Sequence, residues 1–208
     1  MYKSLTTYET YNLCAKEFAN KFMSLDLYKD KLNRFAELLP PGAKILDLGC
    51  GPGNIAKFMA DKDQDYKITG IDFSQEMIDF AKSNVPEAEF FVADIRQLVG
   101  LCEQYDAVIA SFCIVHLLDD ETMGLISKIS GMLKQGGLLY LSCMEGKEAG
   151  FETTSFSPDN YIFFNYYSEE FIKDALTQNG LALDQYWRQD YPEPNGGITI
   201  DMIFIVKK

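Results

Sequence analysis

Lys44-Ile-Leu-Asp-Leu-Gly-Cys-Gly-Pro-Gly-Asn54 is the stretch on which the reading of this chain turns. Ile45, Leu46 and Leu48 form a short apolar run of strand length, and Gly49, Gly51 and Gly53 crowd directly behind it. From Asn54 to Asp61 the pattern changes, with Ile55, Phe58 and Met59 on one helical face. Glycines between a strand and a helix let the backbone approach a ligand and adopt positive φ. The spacing is not the dinucleotide fingerprint: its third glycine would fall at position 54, where Asn stands. Pro52 also removes an amide that could cradle a pyrophosphate.

Working outward, the same alternation continues. Tyr66–Asp72, Ala88–Asp94, Tyr105–Phe112 and Leu138–Met144 read as further strands. Between them lie a helix capped by Ser74 and one opened by Asp119 and Asp120, with Gly136-Gly137 as the exit of the second. This predicts an α/β fold, a doubly wound and mostly parallel sheet with helices on both faces. Before it, Leu13, Phe18, Phe22, Leu25, Leu32, Phe35, Leu38 and Leu39 recur at helical spacing until Pro40-Pro41-Gly42, which predicts an N-terminal helical cap. After it, Gly150–Tyr167 is a long aromatic connection without helical pattern, and Ser168 caps a last helix. The strands Leu181–Tyr191 and Ile198–Lys207 close the chain, joined by the turn-rich link Pro192–Gly197. A link that short joins antiparallel neighbours. Met202–Val206 is apolar throughout, so the last strand should be buried on both faces, between the fifth strand and Leu181–Tyr191. The predicted sheet has seven strands in the order 3-2-1-4-5-7-6. The chain reads as one domain: cap 1–40, core 41–145, and lid segment, helix and hairpin 146–208.

Composition agrees with a globular domain. Of 208 residues 47% are hydrophobic and 24% charged, enough apolar material for a core. Nineteen Lys and Arg against 31 Asp and Glu give a net charge of −12, which argues against nucleic acid or an anionic membrane as partner. The cysteines at 14, 50, 102, 113 and 143 are odd in number and form no CxxC pair, so they read as reduced thiols rather than disulfides or a zinc site. With one histidine, no His-rich metal site is expected. No leader opens the chain and no stretch reaches spanning length, so a cytoplasmic protein is expected.

Four strand ends carry polar residues where open α/β sheets bind ligands. Asp47 and the glycines follow the first strand; Asp72 ends the second, where an acid can accept both ribose hydroxyls of a nucleoside. Asp94 ends the third, where it can accept from an adenine amine while Ile95 presses on the ring. Ser111-Phe-Cys-Ile-Val-His116 follows the fourth.

Together these positions resemble the class I S-adenosylmethionine-dependent methyltransferases, in particular the small bacterial type acting on small molecules. The matching stretches are ILDLGCGPG (45–53), GIDFSQEMI (70–78), VADI (92–95), YDAVIASFCIVHL (105–117), LKQGGLLYLS (133–142) and YYSEEFIKDALTQNGL (166–181). The resemblance implies S-adenosyl-L-methionine as cofactor. It implies that Gly49, Cys50, Gly51 and Gly53 shape the loop under the methionine part, with Asp47 on the α-amino group. Asp72 would take the ribose, Phe73 and Met77 would flank the adenine, and Asp94 and Ile95 would define its far end. Ser111 and Phe112 would sit near the sulfonium. YNLCAKEFANKF (11–22) resembles the family's lid helix, which puts Tyr11 over the cofactor, with Tyr8 competing for that place.

The implied reaction is direct in-line transfer of a methyl group to a small-molecule acceptor, as a monomer or homodimer, with no metal. His116 is either the base or a pocket wall. Cys50 and Cys113 read as inert buried thiols rather than nucleophiles. Gly150–Tyr167 is either a substrate lid or core packing. The rival readings are a nucleotide-dependent oxidoreductase, opposed by Asn54, and a non-catalytic S-adenosylmethionine-binding module acting through a protein partner. A nucleic-acid methyltransferase is opposed by the charge and by Ser111-Phe-Cys-Ile, where amino-methylating enzymes of that kind resemble (N/D)PP(Y/F).

Overall fold

The structure is a computed structural model that describes residues 2–98, 104–146, 148–193 and 196–208. In chain order its elements are α1 (Tyr2–Leu13), α2 (Ala15–Phe22), α3 (Lys29–Glu37), β1 (Lys44–Leu48), α4 (Asn54–Ala60), β2 (Lys67–Asp72), α5 (Gln75–Asn84), β3 (Glu89–Val92) and β4 (Tyr105–Ser111). There follow α6 (Asp119–Met132), β5 (Leu133–Met144), β6 (Gly150–Thr154), β7 (Ser157–Phe164), α7 (Glu169–Gln178), β8 (Ala182–Pro192) and β9 (Ile198–Lys207).

Seven strands form one sheet in the order β3-β2-β1-β4-β5-β9-β8, which is the predicted order once β6 and β7 are set aside. β1 to β5 run parallel, and β9 lies antiparallel between β5 and β8. Residues 202–206 of β9 are fully buried, and they alternate between the two cores. Met202, Phe204 and Val206 join Leu46, Leu48, Leu139 and Leu141 under α6 and α7. Ile203 and Ile205 join Ile45, Ile109 and Tyr140 under α3, α4 and α5. Each such side chain, fully buried, is worth about 1.5–3 kcal/mol over an exposed one, which holds a C-terminal strand inside the sheet.

The expected N-terminal helical cap consists of three helices: α3 covers the sheet through Leu32 and Phe35, while α1 packs on α5 and β7 above the carboxyl edge. Two expectations need correction. Gly136-Gly137 is not the exit of α6. That helix ends at Met132 with Leu133 already extended, and Gly136 (φ +79°) bends the start of β5 before regular pairing with β4 at Leu138. The aromatic connection is not a loop but the antiparallel hairpin β6–β7. Its Phe156 and Ile162 pack with Cys14, Tyr11, Phe18 and Phe22 against α1 and α2, while Phe164 also packs on the main core.

Cys14, Cys50, Cys113 and Cys143 are buried free thiols; Cys102, like Pro194 and Asn195 of the predicted turn, lies outside the described residues. Among the described residues no helix is long and apolar enough to cross a membrane, and no group of three His, Cys, Asp or Glu could hold a metal ion.

Candidate active site

The carboxyl ends of β1, β4 and β5 open into a cavity of about 720 Å³. The floor is the glycine turn. Gly49 and Cys50 both donate their amides to the Ile71 carbonyl, at 2.7 and 3.0 Å, which folds the turn back onto β2. Gly49 has φ +67°, and a Cβ there would lie 2.5 Å from Cys113 Cβ, so only glycine fits. Gly51 and Gly53 also have positive φ.

Asp47 stands in this floor, 2% exposed. Burial, and secondarily the neighbouring Asp72, push its carboxyl up to about 7. Its Oδ2 is buried and has no hydrogen-bond partner. An unsatisfied buried carboxylate oxygen is costly unless a donor or cation arrives. A ligand ammonium at the floor would meet that need, so this residue fits the amino end of S-adenosylmethionine.

Asp72 is differently placed. Its Oδ2 accepts from the Gly51 amide and its Oδ1 from the Ser74 amide, both at 2.9 Å. Burial raises it to about 6 despite those amides. It does not line the cavity, because α1 lies over this part of the edge. Ser74 Oγ donates to Asn12 Oδ1 at 2.6 Å, and Tyr8 packs on Phe73 with ring centres 5.6 Å apart. Met77 is buried, its amide capped by Ser74 Oγ. Asp94 is held by Arg96, whose Nε lies 2.9 Å from each carboxylate oxygen, and it sits below the usual carboxylate range through those bonds despite partial burial. Ile95 begins the short 3₁₀ turn after Asp94. The structure therefore splits the predicted cofactor set. Tyr11, Asp47, Gly49, Cys50, Gly51, Ser111 and Phe112 line the cavity. Gly53, Asp72, Phe73, Met77, Asp94 and Ile95 do not.

Phe112 is the one described non-glycine residue with positive φ, +51°. The strain is held by its amide, which donates to the Ser142 carbonyl at 3.0 Å, and it turns the ring toward Tyr28, 5.4 Å between centres. Cys50 and Cys113 are pushed well up by burial, which leaves them inert thiols at neutral pH.

His116 does not line the cavity; Tyr11 stands in front of it. Nδ1 donates to the Phe163 carbonyl at 2.8 Å, since a carbonyl can only accept, and Nε2 is therefore the acceptor facing Tyr11 Oη at 3.0 Å. Burial lowers its pKa to about 4, partly offset by the Phe163 bond. The ring is neutral at pH 7, with its lone pair engaged by Tyr11, an arrangement that favours the wall alternative of the sequence reading over the base.

Sequence reading missed the far end of the cavity: Tyr28, Tyr140, Tyr191, Glu193 and Asp201. The available signal was Asp201, the one charge between apolar neighbours in 198–206.

Residues 45–137 match a family model described as a methyltransferase domain. The chain is 30% identical over 127 residues to the trans-aconitate 2-methyltransferase of Variovorax paradoxus, covering 58% of this chain and 48% of that protein. It is 30% identical over 128 residues to the carboxy-S-adenosyl-L-methionine synthase of a Campylobacter jejuni strain, covering 57% of this chain and 53% of that protein. The chain spans about half the length of these curated relatives. Among solved structures it resembles the magnesium protoporphyrin IX methyltransferase of Synechocystis with bound S-adenosylhomocysteine, at TM-score 0.74, 17% identity and 99% coverage of both chains. Over residues 45–137 the chain is similar to a methyltransferase domain, and its sheet has the fold seen in S-adenosylmethionine-dependent methyltransferases of known structure.

Proposed function

We propose that this chain transfers a methyl group from S-adenosylmethionine to a small-molecule acceptor by direct in-line displacement. The observation that carries the reading is the orphaned Oδ2 of Asp47 in the floor of a cavity open at the carboxyl edge of the sheet. When bound, S-adenosylmethionine supplies a methyl group already activated on a positive sulfur, so positioning and exclusion of water are the protein's task.

In this reading Asp47 holds the α-amino group, and Gly49, Cys50, Gly51 and Gly53 form the bed under the methionine part. Asp72, pre-oriented by two amides, retains lone pairs for the ribose hydroxyls. Phe73, Met77, Asp94 and Ile95 frame the adenine once α1 yields. Ser111 and Phe112 border the reacting centre, and Tyr11, held by His116, closes the top. The relatives' named substrates differ, which supports a shared cofactor half and an individual acceptor half. The alternative, a non-catalytic S-adenosylmethionine-binding module working through a partner protein, leaves the cavity beyond Phe112 without a role.

Calorimetry with S-adenosylhomocysteine and NAD tests the reading. Saturable binding of the first and none of the second is expected. Asp47→Asn should weaken it by about 1.5–3 kcal/mol, the scale of a hydrogen bond to a charged group. Binding of NAD alone would refute the proposal.

A further inference from the structure

From the far end of the cavity we infer that the acceptor is an amine carried on a flat apolar group, bound as its ammonium form between Asp201, Glu193 and the rings around them. This rests on the proposed methyl transfer and names the substrate class of the same site.

The cavity wall is strongly biased in charge. Its described acidic residues are Asp47, Glu152, Glu193 and Asp201, and its basic residue is Lys21, which reaches Ser155. Asp47 serves the glycine turn. Asp201 is too far away to do the same: β9 lies beyond β4 and β5, so at ~4.8 Å per strand spacing it sits ~14 Å across the sheet from β1. β9 nevertheless delivers it to the carboxyl edge, because an antiparallel strand enters the sheet there, with Asp201 paired against Met144 at the end of β5.

Asp201 is 3% exposed and has no ion-pair partner among the described residues. Its Oδ2 accepts from Tyr28 Oη at 2.5 Å, its one side-chain hydrogen bond among the described residues, so Oδ1 of this cavity-lining residue has no side-chain partner among them. Glu193 accepts from Thr199 at 2.7 Å through Oε1, and among the described residues it too has no ion-pair partner. Tyr28, Phe112, Tyr140 and Tyr191 line the same end. Buried carboxylates normally carry a partner, and aromatic walls with free carboxylates recognise organic cations through charge and ring quadrupole together. An anionic acceptor would face repulsion from three carboxylates and find one lysine. The nitrogen can attack only after losing a proton, and Asp201, with one oxygen lacking a side-chain partner, is the carboxylate available to take it.

The experiment titrates two ring compounds of similar size and opposite charge, phenethylammonium and phenylacetate, into the protein saturated with S-adenosylhomocysteine, and also into the ligand-free protein. Phenethylammonium should bind at least about tenfold more tightly, the scale of one charged contact. Asp201→Asn should remove that preference while leaving S-adenosylhomocysteine affinity unchanged, and Glu193→Gln should reduce it where the first variant fails to fold. Equal affinities, tighter phenylacetate, no binding of either, or an unaltered preference in a folded Asp201→Asn each overturn the inference. Failure of S-adenosylhomocysteine to bind would instead overturn the proposed function, and the ranking on the ligand-free protein would still decide this one.

Discussion

The hydroxyl of Tyr11 lies 3.0 Å from Nε2 of His116, and the other ring nitrogen of His116 is fixed on the Phe163 carbonyl. Three segments far apart in sequence meet in this pair: α1, the turn after β4, and β7. It joins the roof of the cavity to its wall, and it determines the tautomer of the chain's one histidine.

His116 is therefore expected to act as a positioning residue. With its pKa lowered to about 4, it contributes no limb to the pH–rate profile between pH 5.5 and 8. His116→Asn should lower kcat less than about tenfold, and Tyr11→Phe by a similar amount, because both loosen the same contact. The double variant should lose no more than either single one. A kcat loss of about 10²-fold or more, with a limb near pH 6.5 in the wild type, would restore His116 as the base.

The buried carboxylates predict an unusual dependence of stability on pH. Asp47, Asp72 and Asp201 are raised to about 7, 6 and 6, chiefly by burial. Each folded pKa lies above its unfolded value, so the folded state binds more protons between pH 4 and 7. The stability so conferred is complete below about pH 4 and is lost as pH rises through 6 to 7. His116, lowered to about 4, works in the opposite sense because the unfolded imidazole takes up a proton below about pH 6.5, but one such group is outweighed by three raised carboxylates; Asp94 and Asp106 are lowered and add no slope from pH 5 upward. The ligand-free protein should melt higher at pH 5 than at pH 8, at about 2–4 °C per kcal/mol for a chain of this size. Saturating S-adenosylhomocysteine should flatten the difference by giving Asp47 a cation. A melting temperature that rises with pH would contradict the burial of these groups.

Gly49→Ala should destabilise the protein by about 2–4 kcal/mol, combining a left-handed backbone with overpacking against Cys113. The contact is with Cys113 Cβ, so Cys113→Ala added to it should not rescue the loss, whereas Cys113→Gly should recover part. Denaturant unfolding of the three variants measures this. Rescue by Cys113→Ala would show that the sulfur is the obstacle.

Phe112→Gly separates strain from function. Removing a side chain at φ +51° relieves about 1–3 kcal/mol of backbone strain, offset by the lost ring contact with Tyr28. Melting temperature should stay level or rise, while kcat/KM falls at least about tenfold through lost positioning. A large drop in stability with unchanged kcat/KM would make Phe112 a packing residue.

In the proposed binding mode α1 must yield for the ligand to reach Asp72. Reaching Asp72 requires the Asn12–Ser74 and Tyr8–Phe73 contacts to open. Hydrogen exchange in residues 7–13 should be faster in the ligand-free protein than with S-adenosylhomocysteine bound. Equal rates would mean that the ligand enters without moving this helix.

The sheet was legible in the sequence because its signals are local. Apolar runs, glycine turns and capping residues such as Ser74 are set by short-range sterics and periodicity, and the all-apolar 202–206 could satisfy burial only inside the sheet. That Asp47 and the glycine turn stand together was legible for the same reason, since strand and turn lie within one short segment. The hairpin β6–β7 was not, because its aromatic pattern gains strand character only by packing on α1 and α2. Nor were the roles of Asp72, His116 and Asp201. A carboxylate or imidazole takes its charge state and reach from whatever surrounds it, and those neighbours come from elsewhere in the chain: Gly51 and α1 for Asp72, Tyr11 and Phe163 for His116, Tyr28 for Asp201. Local pattern determined the frame of this protein, while long-range contact decided which of its polar groups stand open to a ligand.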